Sequence, residues 1–405
     1  MSGRAAARTR SAAGQGVLEI AGILVLALSV AFTIGRRWGD AWDFATFYHA
    51  ATALGRGLDP YRLDTLSAVA GRSITLPFLY PPVTFALFLP FTWLSLPTAT
   101  TVWLVLKLGL QAGLVHLWRM FLPGTRLLGL IAMAVFAFDA SLLWDLKTGN
   151  VSVVEQFLLW LGFACYLEDR RRAFAALVVI ASTFKLLPIA FLALLLVPSR
   201  TRHASRGLAL AGLALFAAIV FAPSWLGPTW AHGYLSSLRI ERPYGERNPS
   251  ALGILDMALH GAPPPGSDRM DRALLGWGLW SGALVALSAP RLRRVWAERD
   301  PRQSVFVAAF LFALVAPRMM VYSYLLLVAP ALALARDLFP RPAVRALALV
   351  PVVAQGIFQL LPAWWRAPVL MGLPRPAALV VANLSYFVAL LLWLSWLWRG
   401  RHPRR

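Results

Sequence analysis

Long apolar runs alternate along this chain with short polar connections. Thirteen runs stand out, at 17–35, 79–96, 98–117, 127–144, 150–167, 173–184, 186–197, 207–225, 272–289, 304–316, 319–335, 344–361 and 377–398. Several approach the roughly 20 residues that a helix needs to cross a bilayer core at about 1.5 Å per residue. Inside lipid a helix satisfies its backbone amides within its own segment, so the pattern predicts an all-α polytopic membrane protein. Prolines interrupt it. Pro81, Pro82, Pro90 and Pro97 break the stretch 79–117, because a proline within a helix removes a donor and crowds the preceding turn. One of the two pieces there is expected to be a partial, re-entrant or interfacial helix. Residues 173–197 are too few to cross about 30 Å twice. They predict a shallow hairpin or broken helix pair with Lys185 at its tip, and 304–335 reads the same way with Arg318 at its tip.

Composition and charge set the class. Of 405 residues, 59% are hydrophobic and 14% charged, with a mean hydropathy of +0.64. Soluble domains carry about 45–50% apolar and about 25% charged residues. A soluble domain, a disordered chain and a coiled coil are excluded. The single cysteine, Cys165, excludes a disulfide scaffold. The net charge of +21 comes almost entirely from arginine, the only lysines being Lys107, Lys147 and Lys185. Such a balance is read as membrane topology and headgroup contact, not nucleic acid, because the arginines lie in short connections between apolar runs. Segments 4–10, 119–126, 168–172, 200–206, 291–302, 336–345 and 399–405 hold 23 of the 39 lysines and arginines. Placing them in the cytoplasm demands an even number of crossings. About twelve, with both termini inside, is the expectation for one integral membrane domain spanning 1–405. The run from Val17 to Ile34 is read as an uncleaved first helix.

Three connections then face outward: 36–78, 227–271 and the short 362–376. In the first, Phe44, Phe47, Tyr48, Ala51 and Leu54 recur at helical spacing after Asp43. This predicts a short amphipathic helix over 43–54 on the membrane surface. Asp43 is either a plain N-cap or a carboxylate pointing into a cavity of the bundle. The long connection 227–271 carries Arg242 and Arg247, which either bind phosphate or solvate the loop. Its Asn248 and Ser250 precede an expected helix start. The turn Asp145-Leu-Lys-Thr-Gly149-Asn150 also faces outward in this topology, as a turn or as part of a site.

The order of these elements resembles a known family. Asp43-Phe-x-x-Phe-Tyr-x-Ala-Ala, Gly57-x-Asp59-Pro-Tyr61 and Phe78-x-Tyr80-Pro-Pro are similar to the opening of the polytopic glycosyltransferases of family 87 (the DUF2029 family), in the GT-C superfamily. Gly149-Asn150 resembles the family's Gly-Gln-x-Asn element without its Gln, and Lys185-Leu-Leu-Pro188 its Lys-x-x-Pro element. Asn248-Pro-Ser250 resembles its Asn-x-Ser loop, and Ala316-Pro-Arg318 through Tyr322-Ser-Tyr324 its late element. The resemblance implies a hexosyl, commonly mannosyl, transfer from a polyprenyl-phosphate sugar to a glycan or glycolipid at the outer face of the cytoplasmic membrane, with inversion. It implies an acidic residue in the first outer loop as general base: Asp43, with Asp40 second.

The chemistry agrees with that assignment. A sugar hydroxyl attacking an anomeric carbon must lose its proton to a base. The phosphate leaving group needs no acid, only cations and donors where negative charge develops. Glycosidases expelling an alcohol need two carboxylates instead. Lys185, Arg318 and Arg247 are the candidate phosphate contacts. Tyr48, Tyr61, Tyr80, Asn150, Asn248 and Tyr322 are the candidate lining residues. Lys185 is alternatively a structural partner of Glu155, and Lys107, Glu155 and Asp139 are read as internal pairs or cavity lining. None of the six histidines is spaced as a metal pair, and His49 is expected at the surface. Expected partners are the lipid-linked donor, the acceptor and membrane lipids, with the chain a monomer carrying no cofactor. A transporter or lipid-linked-sugar flippase is the rival class. It predicts paired repeats and a midplane site, whereas the polar groups here gather in outer loops and hairpin tips.

Overall fold

The first described helix, α1 (Trp42–Gly55), begins where the sequence placed a helix, but its setting differs. Ala41 is the N-cap, and Asp43 lies in the first turn without capping it. Nor is α1 a surface helix with one wet face. Phe44, Ala45, Thr46, Phe47, His49, Ala50, Ala51 and Ala53 are all buried. The reason is the chain that follows: Tyr61, Phe78, Phe85 and Phe88 fold over α1 and form one apolar cluster with Phe44, Phe47 and Trp103. His49, expected at the surface, is 7% exposed. Burial, and then the charge of Arg72, push its imidazole below the usual histidine range.

The computed structural model describes residues 41–197, 205–227, 229–237, 248–260, 270–360 and 372–399. Among these it is helical, with no strand. The run 17–35, Asp40, Arg242, Arg247, the segments 238–247 and 261–269 of the long connection 227–271, and most of the connection 362–376 lie outside the described residues. The prolines at 81, 82 and 90 act as expected. Residues 82–93 form only short turns of 3₁₀ and α-helix. The long helix α2 (Leu96–Phe121) starts just beyond, with Pro97 in its first turn, where its missing N–H leaves no bond unmade.

Next come α3 (Leu127–Thr148), α4 (Ser152–Leu167) and α5 (Arg171–Phe184). The helix α3 is interrupted at 137–140, where Phe138, Asp139 and Ala140 take left-handed backbone angles. The helix α11 (Pro342–Leu360) crosses there, and a Cβ on its Gly356 would overlap the Phe136 carbonyl. Lys185 is extended, at φ −144° and ψ 126°, and separates α5 from a 3₁₀ stretch at Leu187–Leu196. The second expected tip is also a break. The helix α9 (Pro301–Val315) ends before Ala316, and a 3₁₀ turn at Val321–Leu327 leads into α10 (Val328–Leu338).

Five helical segments among the described residues are long and apolar enough to cross a membrane: α2, α3, α6 (Arg206–Leu226), α8 (Met270–Glu298) and the stretch 321–338. A sixth arises if 376–382 and α12 (Leu384–Arg399), bent by 80°, count as one. The helices α4, α9, α11 and the stretch 187–196 are apolar but shorter. The surface chemistry agrees with a lipid environment. Leu210, Leu279 and Leu347, on α6, α8 and α11, are 66%, 67% and 71% exposed. Leucines so placed along apolar helices match a hydrocarbon solvent.

Candidate active site

The site is assembled where α1 meets the turn after α3. Gly149 ends α3 at φ +70°. A Cβ there would lie 2.8 Å from the Phe44 Cβ and 3.0 Å from the Ala41 Cβ. Glycine alone therefore admits both the left-handed backbone and the close approach of α1. The contact sets Asn150 against Asp43. Asn150 Nδ2 donates to Asp43 Oδ2 at 2.7 Å and to the Tyr80 hydroxyl oxygen at 3.3 Å. The Asn150 Oδ1 accepts from the backbone N–H of Ser152 at 3.1 Å and from its hydroxyl at 2.7 Å.

Two side chains one turn apart on α2 hold this turn. Trp103 Nε1 donates to the Gly149 carbonyl at 2.8 Å. Lys107 Nζ donates to the Asn150 carbonyl at 2.6 Å and to the Asp145 carbonyl, and it pairs with Asp145 Oδ2 at 2.9 Å. Both Lys107 and Asp145 have fully buried side chains. The lysine read as an internal pair from its place in an apolar run thus has a definite partner, one turn from the site.

Lys185 lies on the other side of Asn150. Its ammonium pairs with Glu155 at 3.0 Å, donates to the hydroxyls of Ser152 and Ser323, and sits 4.8 Å from the centre of the Tyr322 ring. An ammonium has three N–H donors, and Glu155, Ser152 and Ser323 engage all three. Arg318 differs in being exposed. Its charge is felt at Tyr80, which connects it to the Asp43 side of the site.

Electrostatics follow from burial. Desolvation pushes the Asp43 carboxyl above the ordinary aspartate range. The Asn150 hydrogen bond opposes this, as do the charges of Lys107 and Lys185, while the Asp145 charge adds to it. Burial likewise raises the Tyr80 phenol, with the Asp43 charge in support and Arg318 opposing. Tyr80 stays a neutral hydroxyl that both donates and accepts.

The structure brings Asp43, Tyr80, Asn150, Lys185 and Tyr322 together. It does not bring Tyr48, Tyr61 or Asn248 to the carboxylate by any hydrogen bond among the described residues. Tyr48 donates to the Leu94 carbonyl at 2.8 Å and Tyr61 to the Tyr80 carbonyl at 2.9 Å, so both brace the chain over α1. Asn248 Oδ1 accepts from the Met319 N–H at 2.8 Å, and the Ser250 hydroxyl donates to the Pro317 carbonyl at 2.8 Å. These two residues, just before α7 (Ala251–His260), pin both sides of Arg318. The sequence reading gave no role to Trp103, Ser152 or Ser323, although Ser323 lies within the late element Tyr322-Ser-Tyr324. Asp145 stood in the segment read as a turn or as part of a site, but its pairing with Lys107 was not foreseen.

Comparison with known proteins follows the same residues. No curated protein and no solved structure matches the chain. The sequence pattern of glycosyltransferase family 87 matches residues 78–323, more than half of the chain. That span carries Tyr80, Lys107, Asp145, Asn150, Ser152, Glu155, Lys185, Arg318 and Tyr322, the groups gathered around Asp43, and on this match the chain belongs to glycosyltransferase family 87.

Proposed function

We propose that the protein transfers a hexosyl group, mannosyl by resemblance, from a polyprenyl-phosphate sugar to a glycan or glycolipid acceptor at the outer face of the cytoplasmic membrane. The observation that carries this reading is the convergence of one half-buried carboxylate, Asp43, with the cations Lys185 and Arg318 around Tyr80 and Tyr322. The acceptor hydroxyl attacks C1 of the donor sugar, and its proton passes to Asp43. The bond between C1 and the phosphate oxygen breaks, and its electron pair leaves on the phosphate. Configuration inverts, so a β-linked donor gives an α-product.

Asn150 occupies one Asp43 oxygen, and the other is left for the acceptor proton. Its hydrogen bond favours the ionised carboxylate in a site that otherwise disfavours charge. Arg318 is the phosphate contact open to a donor, and its planar guanidinium suits bidentate phosphate binding. Lys185 joins when the phosphate replaces one of its three present partners. The polyprenyl tail stays in the bilayer and brings the phosphate to headgroup depth. Short broken segments complete the long helices to about twelve crossings, with both termini and the Arg-rich connections in the cytoplasm.

The test incubates the purified chain with labelled polyprenyl-phosphate mannose and a panel of glycolipid acceptors. Labelled product from the wild type and none from Asp43→Asn supports the assignment. Full transfer by Asp43→Asn overturns it.

A further inference from the structure

The side-chain amide of Asn150 has two ends, and its work on Asp43 depends on which one faces the carboxylate. One neighbour decides. The Ser152 backbone N–H lies 3.1 Å from one end and can only donate, so the amide oxygen must face it. The NH₂ group then turns to Asp43, 2.7 Å away. The Ser152 hydroxyl adds a second constraint. It accepts from Lys185, whose ammonium can only donate, so its own hydrogen goes to Asn150 Oδ1 at 2.7 Å. The result is a one-way chain: Lys185 to Ser152, Ser152 to Asn150, Asn150 to Asp43. A cation stands at its head and a carboxylate at its foot, and hydrogen bonds in series polarise one another.

We propose that Ser152 is a positioning residue for transfer: through Asn150 it aims an amide N–H at Asp43 and couples that carboxylate to Lys185. This rests on Asp43 being the base. The Ser152 hydroxyl bonds Asn150 and Lys185 and makes no hydrogen bond to Asp43 among the described residues, so its effect passes through the amide.

Ser152 is an uncharged lever on a charged site. The charged and titratable groups around Asp43 among the described residues are Lys107 of α2, Asp145 of α3, Lys185 after α5, Tyr80, and Tyr322 of the late 3₁₀ turn, with Arg318 and Glu155 beyond Tyr80. A Ser152→Ala substitution removes none of these charges, and Lys185 keeps Glu155 and Ser323 as partners. A shift in the titration of Asp43 is then attributable to the hydrogen-bond chain.

The experiment compares wild type, Ser152→Ala, Ser152→Thr and Asp43→Asn in two ways. The first is the infrared carboxyl band of Asp43, identified by subtracting Asp43→Asn and titrated without substrate. The second is steady-state transfer from polyprenyl-phosphate mannose. In Ser152→Ala the infrared midpoint moves up by as much as about one unit, kcat falls about tenfold and KM for the donor changes little. Ser152→Thr, which keeps the hydroxyl, returns both towards wild type. An unmoved midpoint in Ser152→Ala overturns the proposal, as does an unchanged kcat while Asp43→Asn is inactive. Full activity of Asp43→Asn instead sinks the base assignment, and the infrared titration then still decides whether the Ser152 hydroxyl couples the amide, and through it Asp43, to Lys185.

Discussion

Asp43 and Asn150 stand 107 positions apart in the chain, yet their side chains meet at 2.7 Å. One lies in the first turn of α1 and the other just after α3. Gly149 makes the meeting possible, because any side chain there would push α1 away.

Gly149→Ala is therefore expected to be disproportionately damaging. The new methyl would need a left-handed backbone, costing about 1–2 kcal/mol, and would lie 2.8 Å from the Phe44 Cβ. Thermal unfolding in detergent should show a lowered midpoint. Transfer should fall further than stability alone explains, since Asn150 and Asp43 separate.

Transfer by the wild type should lose activity on acidification at a pH above the ordinary aspartate range. The sign follows from the base role. Asp43 must be ionised to accept a proton, and burial raises its pKa. Activity is present above that raised value and is lost as pH falls through it. A profile of kcat/KM against pH checks this, and an acid limb at or below about pH 4 contradicts it.

Lys185→Met removes the half-buried cation of a pair whose carboxylate, Glu155, is buried, and leaves Glu155 with a charge and no cation. Leaving a buried carboxylate without its cation costs up to about 3 kcal/mol. Lys185→Met/Glu155→Gln should recover much of that loss in thermal unfolding, because no lone charge remains. Transfer should stay low in both, since the double variant still lacks the ammonium.

Asn248→Ala should act on the donor side. It leaves the Met319 N–H without its acceptor, a loss of about 1–3 kcal/mol for a buried donor. The segment holding Arg318 loosens, so KM for the polyprenyl-phosphate donor should rise more than kcat falls. Arg318→Ala should raise that KM at least as far with little change in unfolding, because the side chain is exposed.

Trp103→Phe is a milder probe of the clamp. It keeps the ring between Phe44 and Phe91 and removes the donor to the Gly149 carbonyl. A several-fold loss of kcat with the fold retained is expected. An unchanged kcat would mean that Lys107 alone holds the turn.

Much of this was legible in the residues. Proline positions marked where 79–93 breaks, and segments too short to cross twice between Arg-rich connections placed on one side pointed to breaks near Lys185 and Arg318. A lysine in an apolar run signalled that Lys107 must have a partner, since an unpaired charge in that setting is costly. Which partner was not legible, because Asp139, Asp145 and Glu155 all follow within the next two runs. The surroundings of α1 were misread for a related reason. Its helical spacing indicated one buried face, but the aromatic residues that cover its other faces come from 61–88 and α2.

The amino-acid order by itself determined that the chain is helical and apolar, where it is punctuated, and which family its polar residues follow, because these depend on local pattern and composition. The tertiary structure alone decided that Asn150, not a cap, meets Asp43, that Lys185 is held by Glu155 and two serines, and that Tyr48, Tyr61 and Asn248 brace rather than surround the carboxylate. Those outcomes depend on side-chain distances between helices far apart in the chain, and no periodicity along a single segment encodes such distances.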